Sequence, residues 1–252
     1  YGEFDGVIPA LAEALGAEGL AHLKQITEAW ASAAPTPQEI SQFRQFGLST
    51  SPLDRARRQR QSTASIILAD IADLQGDVDA YMARYSAEQL TYGTIAPDVA
   101  RRLIDAGRLD EALILIQRAR AAEEGKSFRA SRYELDEVYE DCLQKMGKLD
   151  DLKVHLWATF QETLYAGSLR KYLKMLPDFD DMEAEELALS HAETHPHLGA
   201  AIHFLLAWPD LRRLAKQVIA RAEEMDGNSY ETLTAAADAL EHDHPLAATL
   251  LR

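Results

Sequence analysis

A helix-turn-helix phrase occurs three times in this chain, and that recurrence constrains the fold more than any single residue does. The copies read ADLQGDVDAY around Gly76, DAGRLDEAL around Gly107 and QKMGKLDDL around Gly147. Each runs Gly, one variable residue, Val or Leu, then Asp. Glycine ends a helix in a left-handed turn, and the following Asp suits the positive start of the next helix. The phrase therefore predicts antiparallel helix pairs. A lone pair cannot bury its apolar faces and must stack on neighbours. The expectation is an all-α fold of degenerate helix-pair repeats, an α-solenoid or tetratricopeptide-like right-handed superhelix of about 12 to 16 short helices.

Apolar spacing supports helices along most of the chain. Leu135, Val138, Tyr139, Cys142, Leu143 and Met146 follow the i, i+3, i+4, i+7 pattern of a one-faced helix, and Leu149, Leu152, Leu156, Phe160 and Leu164 follow it after Gly147. Val99, Leu103 and Ile104, then Ala112, Leu113 and Ile116, repeat the arrangement around Gly107. Helix starts are marked by Thr36, Pro37 and Glu39, a capping box with proline in the first turn, and by Ser51, Pro52 and Asp54. Asp180 after Pro177 marks another start, as does Pro209 with Asp210. No segment shows strand alternation. The steps from Gly76 to Gly107 and from Gly107 to Gly147 are unequal, so the array is degenerate.

The 252 residues are expected to form one helical-repeat domain, with a sub-boundary near the polar loop at 123–131. The start at Tyr1, without an initiator Met, reads as the C-terminal part of a longer protein whose N-terminal region precedes it. Acidic residues number 41 against 26 basic ones, a net charge of −15, which opposes nonspecific attraction to nucleic acid or anionic membranes. A basic protein or peptide is the partner this balance favours. Cys142 is the lone cysteine, so an intrachain disulfide is ruled out and a reducing cytoplasmic setting is expected. The stretch from His197 to Pro209 is too short for a membrane helix.

Few residues suggest chemistry. His191 and His195 stand at i and i+4 with His197 beside them, a spacing that suits zinc, but Ala192, Glu193 and Thr194 do not supply the HExxH base. The run Asp178, Asp180, Asp181, Glu183, Glu185 and Glu186 has the oxygens hard cations prefer without an EF-hand loop, so it reads as a helix start. Tyr81, Tyr85, Trp30, Trp157 and Trp208 read as packing between helix layers. No cofactor, catalytic residue or metal ligand is expected. Arg55, Arg57, Arg58 and Arg60 are the strongest local departure from the acidic composition and are the candidate partner-binding residues.

Two resemblances bear on these segments. AGRLDEAL, residues 106–113, resembles tetratricopeptide-type repeats. The run from His155 carries LRKYLK at Leu169 to Lys174, LPDFDD at Leu176 to Asp181, and Trp208 with Pro209; with LGAEGLAHL near Leu15, it is similar to a bacterial domain-of-unknown-function family. That resemblance implies an all-helical repeat protein and carries over no catalytic residue. The functional expectation is a non-enzymatic scaffold or adaptor for protein–protein interaction. The alternatives are a hydrolase or metal-dependent enzyme completed by a missing N-terminal region, resting on the histidines and the acidic run, and nucleic-acid binding through Arg55 to Arg60.

Overall fold

In the computed structural model, which describes residues 6–43, 51–123 and 132–252, the repeated phrases become helix-closing turns. Gly76, Gly107 and Gly147 have φ values of 64°, 74° and 71°, the left-handed region that a side chain at Cβ disfavours. The first two turns share one hydrogen-bond pattern. Asp77 N–H donates to Ala72 O at 2.8 Å and Arg108 N–H to Leu103 O at 2.8 Å, each closing a Schellman motif. The conserved position of the phrase lands where charge favours it. Asp79, Asp110 and Asp150 all lie in the first turn of the following helix.

The described residues contain fourteen α-helices, three short 3-10 turns and no strand. The chain divides into two compact units, Tyr1–Met146 and Gly147–Arg252. The sub-boundary expected at 123–131 lies outside the described residues except for Glu123, which ends a helix.

The first unit contains α1 (Val7–Ser32), α2 (Pro37–Gln42), α3 (Pro52–Gln75), α4 (Val78–Met82), α5 (Ala96–Asp105), α6 (Leu109–Glu123) and α7 (Arg132–Lys145). Helix α1 is kinked at Gly16. α3 packs on α1, α2 and α4, whereas α5 packs on α4, α6 and α7. The expected apolar stripes form the interior: Val99, Leu103 and Ile104 of α5, Leu113 and Ile116 of α6, and Leu135, Val138, Cys142 and Leu143 of α7 are all buried. The capping box at Thr36 forms in full, and Ser51 caps α3 by accepting the Asp54 N–H at 3.1 Å. Charged side chains join successive turns. Arg108, at the variable position of the second phrase, donates to Asp79 of the first at 2.7 Å, and Arg102 forms a bidentate pair with Asp73.

The second unit contains α8 (Leu149–Thr163), α9 (Ala166–Leu173), α10 (Asp180–Thr194), α11 (Leu198–Ala207), α12 (Leu211–Ala220), α13 (Tyr230–Leu240) and α14 (Pro245–Leu250). Each helix from α9 to α13 packs on the one before and the one after it. One apolar core runs from Phe160 to Leu251, with Phe160 and Phe204 edge to face at 5.1 Å. Leu149 departs from the expected stripe and is half-exposed, because it opens α8 ahead of the residues that face this core. α11 begins at Leu198 with His197 before it, so Pro196 stands outside the helix.

Candidate partner-binding surface

Helical spacing divides the arginine run. Ala56 and Arg60 stand at i and i+4 on the inward face of α3 and are 3% and 5% exposed, while Arg57 and Arg58 point to solvent. Arg57 lies 4.0 Å from Asp54, and Arg58 Nε donates to Asp54 O at 3.4 Å. Arg55 is half-buried. Arg60 is an interior residue: its Nη1 donates to the carbonyls of Trp30, Ala33 and Ala34 at 3.1, 2.9 and 3.2 Å. Its guanidinium also lies over the Trp30 ring at 5.1 Å and pairs with Glu39. The candidate surface is therefore smaller than the run suggests. Burial withdraws Arg60, whose guanidinium donates to carbonyls left open at the end of α1.

Glu39 joins this arrangement to the capping box of α2. Its carboxylate accepts the Thr36 N–H at 2.6 Å and the Thr36 hydroxyl at 2.9 Å. The Thr36 backbone N–H, followed by Arg60, holds the Glu39 carboxyl below its ordinary pKa.

Structural contacts also engage the histidines and acidic side chains. His191 Nε2 is 2.8 Å from Gln161 O, and its ring packs beside Phe160. His195 ends α10 and is buried; its Nδ1 accepts the His197 N–H at 3.3 Å. The rings of His191 and His195 are 5.8 Å apart, and those of His195 and His197 are 5.7 Å apart. No group of three or more His, Cys, Asp or Glu side chains among the described residues is placed to hold a metal ion. Asp180, Asp181 and Glu183 form the first turn of α10, as the sequence suggests. The next two acids have partners in other helices or turns: Glu185 accepts the Trp208 indole N–H at 2.6 Å, and Glu186 accepts from Arg213 at 2.5 Å.

Trp208 stands at the centre of a packing node. It stacks on Phe204 at 6.1 Å, and Arg170 lies over its ring at 5.2 Å while donating to Ala207 O at 2.9 Å. Two residues after Arg170, Tyr172 packs on Trp157 at 5.1 Å. Thus the LRKYLK segment and the Trp-Pro pair are joined in space, with Glu185 completing the node. The family of unknown function DUF6880 matches residues 1–252. The chain belongs to that family. No curated protein and no solved structure matches it. Within this DUF6880 member, Arg170, Tyr172 and Trp208 of the resembling segments serve packing in the second unit.

One surface escaped the sequence reading. Phe179, Met182 and Leu187 are 80%, 66% and 56% exposed, although their acidic neighbours disguise them as part of a solvated helix start. Phe179 also has a φ of 78°, unusual for a residue with a side chain. The available signal was two large apolar residues, Phe179 and Met182, inside the acidic run and Leu187 directly after it. Two hollows are lined by other residues. One of about 240 Å³ in the first unit is lined by Asp73, Tyr81, Arg102 and Asp105, and one of about 510 Å³ in the second by His197, His203, Glu224 and Asp226. No described helix is long and apolar enough to cross a membrane.

Proposed function

We propose that this chain is a non-enzymatic interaction module whose helix pairs stack as a tetratricopeptide-like α-solenoid and present a surface to another protein. The observation carrying this reading is the repeated turn architecture. Gly76 and Gly107 close the same motif, and Arg108 joins the second turn to Asp79 beside the first. A side chain linking successive helix pairs suits a stack in which each layer buries its neighbour's apolar face. Stacks of this kind leave one side of each layer available for binding. Net charge favours a basic partner, and buried Cys142 suits a reducing, cytoplasmic setting. Arg57 and Arg58 remain candidate secondary contacts at the start of α3.

Quantitative affinity capture with the full chain, from a lysate of its source organism, tests this reading. A specific protein retained at moderate salt is expected. An Arg55/Arg57/Arg58→Ala version measures the arginine contribution while leaving interior Arg60 in place. Recovery of no specific protein would overturn the interaction reading.

A further inference from the structure

We propose that the first segment of α1, residues 7–15, pairs with the same segment of a second copy of the chain. This goes beyond the interaction-module reading and does not depend on it. Gly16 sets the segment apart: at φ 60° and ψ −174° it occupies a region that only glycine enters readily, and it kinks α1 there. α1 packs on α3, yet its buried residues, Leu20 and Thr27, both follow the kink. No side chain from Val7 to Gly19 is buried. Residues 7–15 are nonetheless apolar, with Glu13 as their single charge. Successive helical residues turn by about 100°, so Val7, Leu11 and Leu15 make one i, i+4, i+8 row, flanked by Ala10 and Ala14 on one side and by Ile8 and Ala12 on the other. The apolar arc is unbroken, and Glu13 lies outside it. Ile8, Ala12 and Leu15 are half-buried, whereas Val7, Ala10, Leu11 and Ala14, at i, i+3, i+4 and i+7, meet water. Hydration of such a strip is unfavourable, and covering it supplies association energy.

Charge and shape select the occupant. The chain carries −15 overall, yet only Glu13 is charged between Val7 and Ala17, so the strip gives a basic partner almost nothing to pair with. Two copies meeting along it bring apolar side chains into contact instead of acidic borders. A two-fold axis passing between Ala10 and Leu11 sets Val7 of one copy level with Ala14 of the other, large against small, and brings the two Leu11 side chains together across the axis. Ala10 and Ala14 are small enough for the helices to approach to about 8 Å. The segment is only about 13 Å long, and its contact falls well short of the roughly 800 Å² per partner of a standard interface. The dimer is therefore weak, with a Kd above about 10 μM.

Sedimentation equilibrium of the full chain from about 10 μM to about 1 mM should show monomer and dimer in exchange. A Val7→Gln/Leu11→Gln variant changes only exposed positions, with its fold checked by circular dichroism and thermal melting, and should weaken association at least about tenfold. Ile219→Gln removes a comparably exposed apolar side chain from α12 and should leave association unchanged. Charge placed at Leu11 reads the axis itself. Leu11→Glu and Leu11→Lys should each be monomeric alone, because like charges would meet their own copies, and an equimolar mixture of the two should form a heterodimer.

A wild type that stays monomeric across the whole range would overturn the proposal. So would equal association of wild type and the Val7→Gln/Leu11→Gln variant, or a mixture of the two charged variants that remains monomeric. Loss of the dimer in Ile219→Gln would place the interface elsewhere and overturn it as well. Flotation with phosphatidylcholine vesicles checks the other occupant of an uncharged apolar strip: wild type that floats with the vesicles, while the double variant does not, would assign the segment to a lipid surface and overturn pairing between copies.

Discussion

Arginine closes helix ends in both units, but it does so from different depths. In the first unit Arg60 is 5% exposed and donates to three carbonyls at the end of α1. In the second, Arg221 donates to His195 O and Pro196 O at 2.8 and 2.9 Å after α10, yet remains partly exposed and also pairs with Glu224. Arg170 closes α11 from an exposed position. These bonds serve the same orphaned carbonyls. They differ in what happens after deletion: water can replace an exposed donor, whereas a buried group left without a partner bears its full desolvation cost. The second unit places its interior investment in aromatic packing around Phe160 and Phe204.

The largest expected break in this comparison is Phe204→Ala. Removing a fully buried ring from the second core should destabilise that unit by about 3 to 5 kcal/mol, measured by denaturant unfolding with Trp157 and Trp208 fluorescence. A loss below about 1 kcal/mol would mean that the core collapses around the gap. Arg60→Met should cost about 2 to 4 kcal/mol in the first unit, followed through Trp30, because it leaves carbonyls and Glu39 without their buried cation. The corresponding Arg221→Met should cost about 1 kcal/mol, since hydration is available at its site. Equal losses for the two arginines would break the burial argument.

A smaller effect is expected at alkaline pH. Burial, followed by the Tyr85 hydrogen bond, pushes the Tyr81 phenol up to about 12 despite Arg102 lying 3.9 Å above its ring. The neutral phenol is thus favoured more strongly in the folded chain than in the unfolded one. Its contribution is fully present below the unfolded value of about 10 and is lost as pH rises through the interval to about 12. Tyrosinate absorbance of wild type minus Tyr81→Phe should isolate this late ionisation. A difference spectrum that completes its rise near pH 10 would exclude such a buried phenol.

Local signals were legible because they depend on nearby residues. Thr36 and Glu39 form the capping box their spacing suggests, Asp180 opens α10, and Cys142 is buried within its helical stripe. The arginine run was less informative because composition records charge without depth. Arg60 differs from Arg57 and Arg58 through its position opposite the end of α1, a contact across 30 residues to Trp30. Likewise, Glu185 resembles the other acids in sequence, but Trp208 makes it a hydrogen-bond acceptor in a packing node.

Sequence alone determined the helical character and the turn positions, because backbone preference and apolar period act over a few residues. Tertiary structure decided which charges became interior ties and which apolar residues remained outside. Those outcomes depend on helices brought together from distant positions, whose carbonyls, rings and carboxylates change the cost of solvation at each side chain. Arg60 and Phe179 show the two reversals: a cation became part of the interior, and an aromatic ring remained in water.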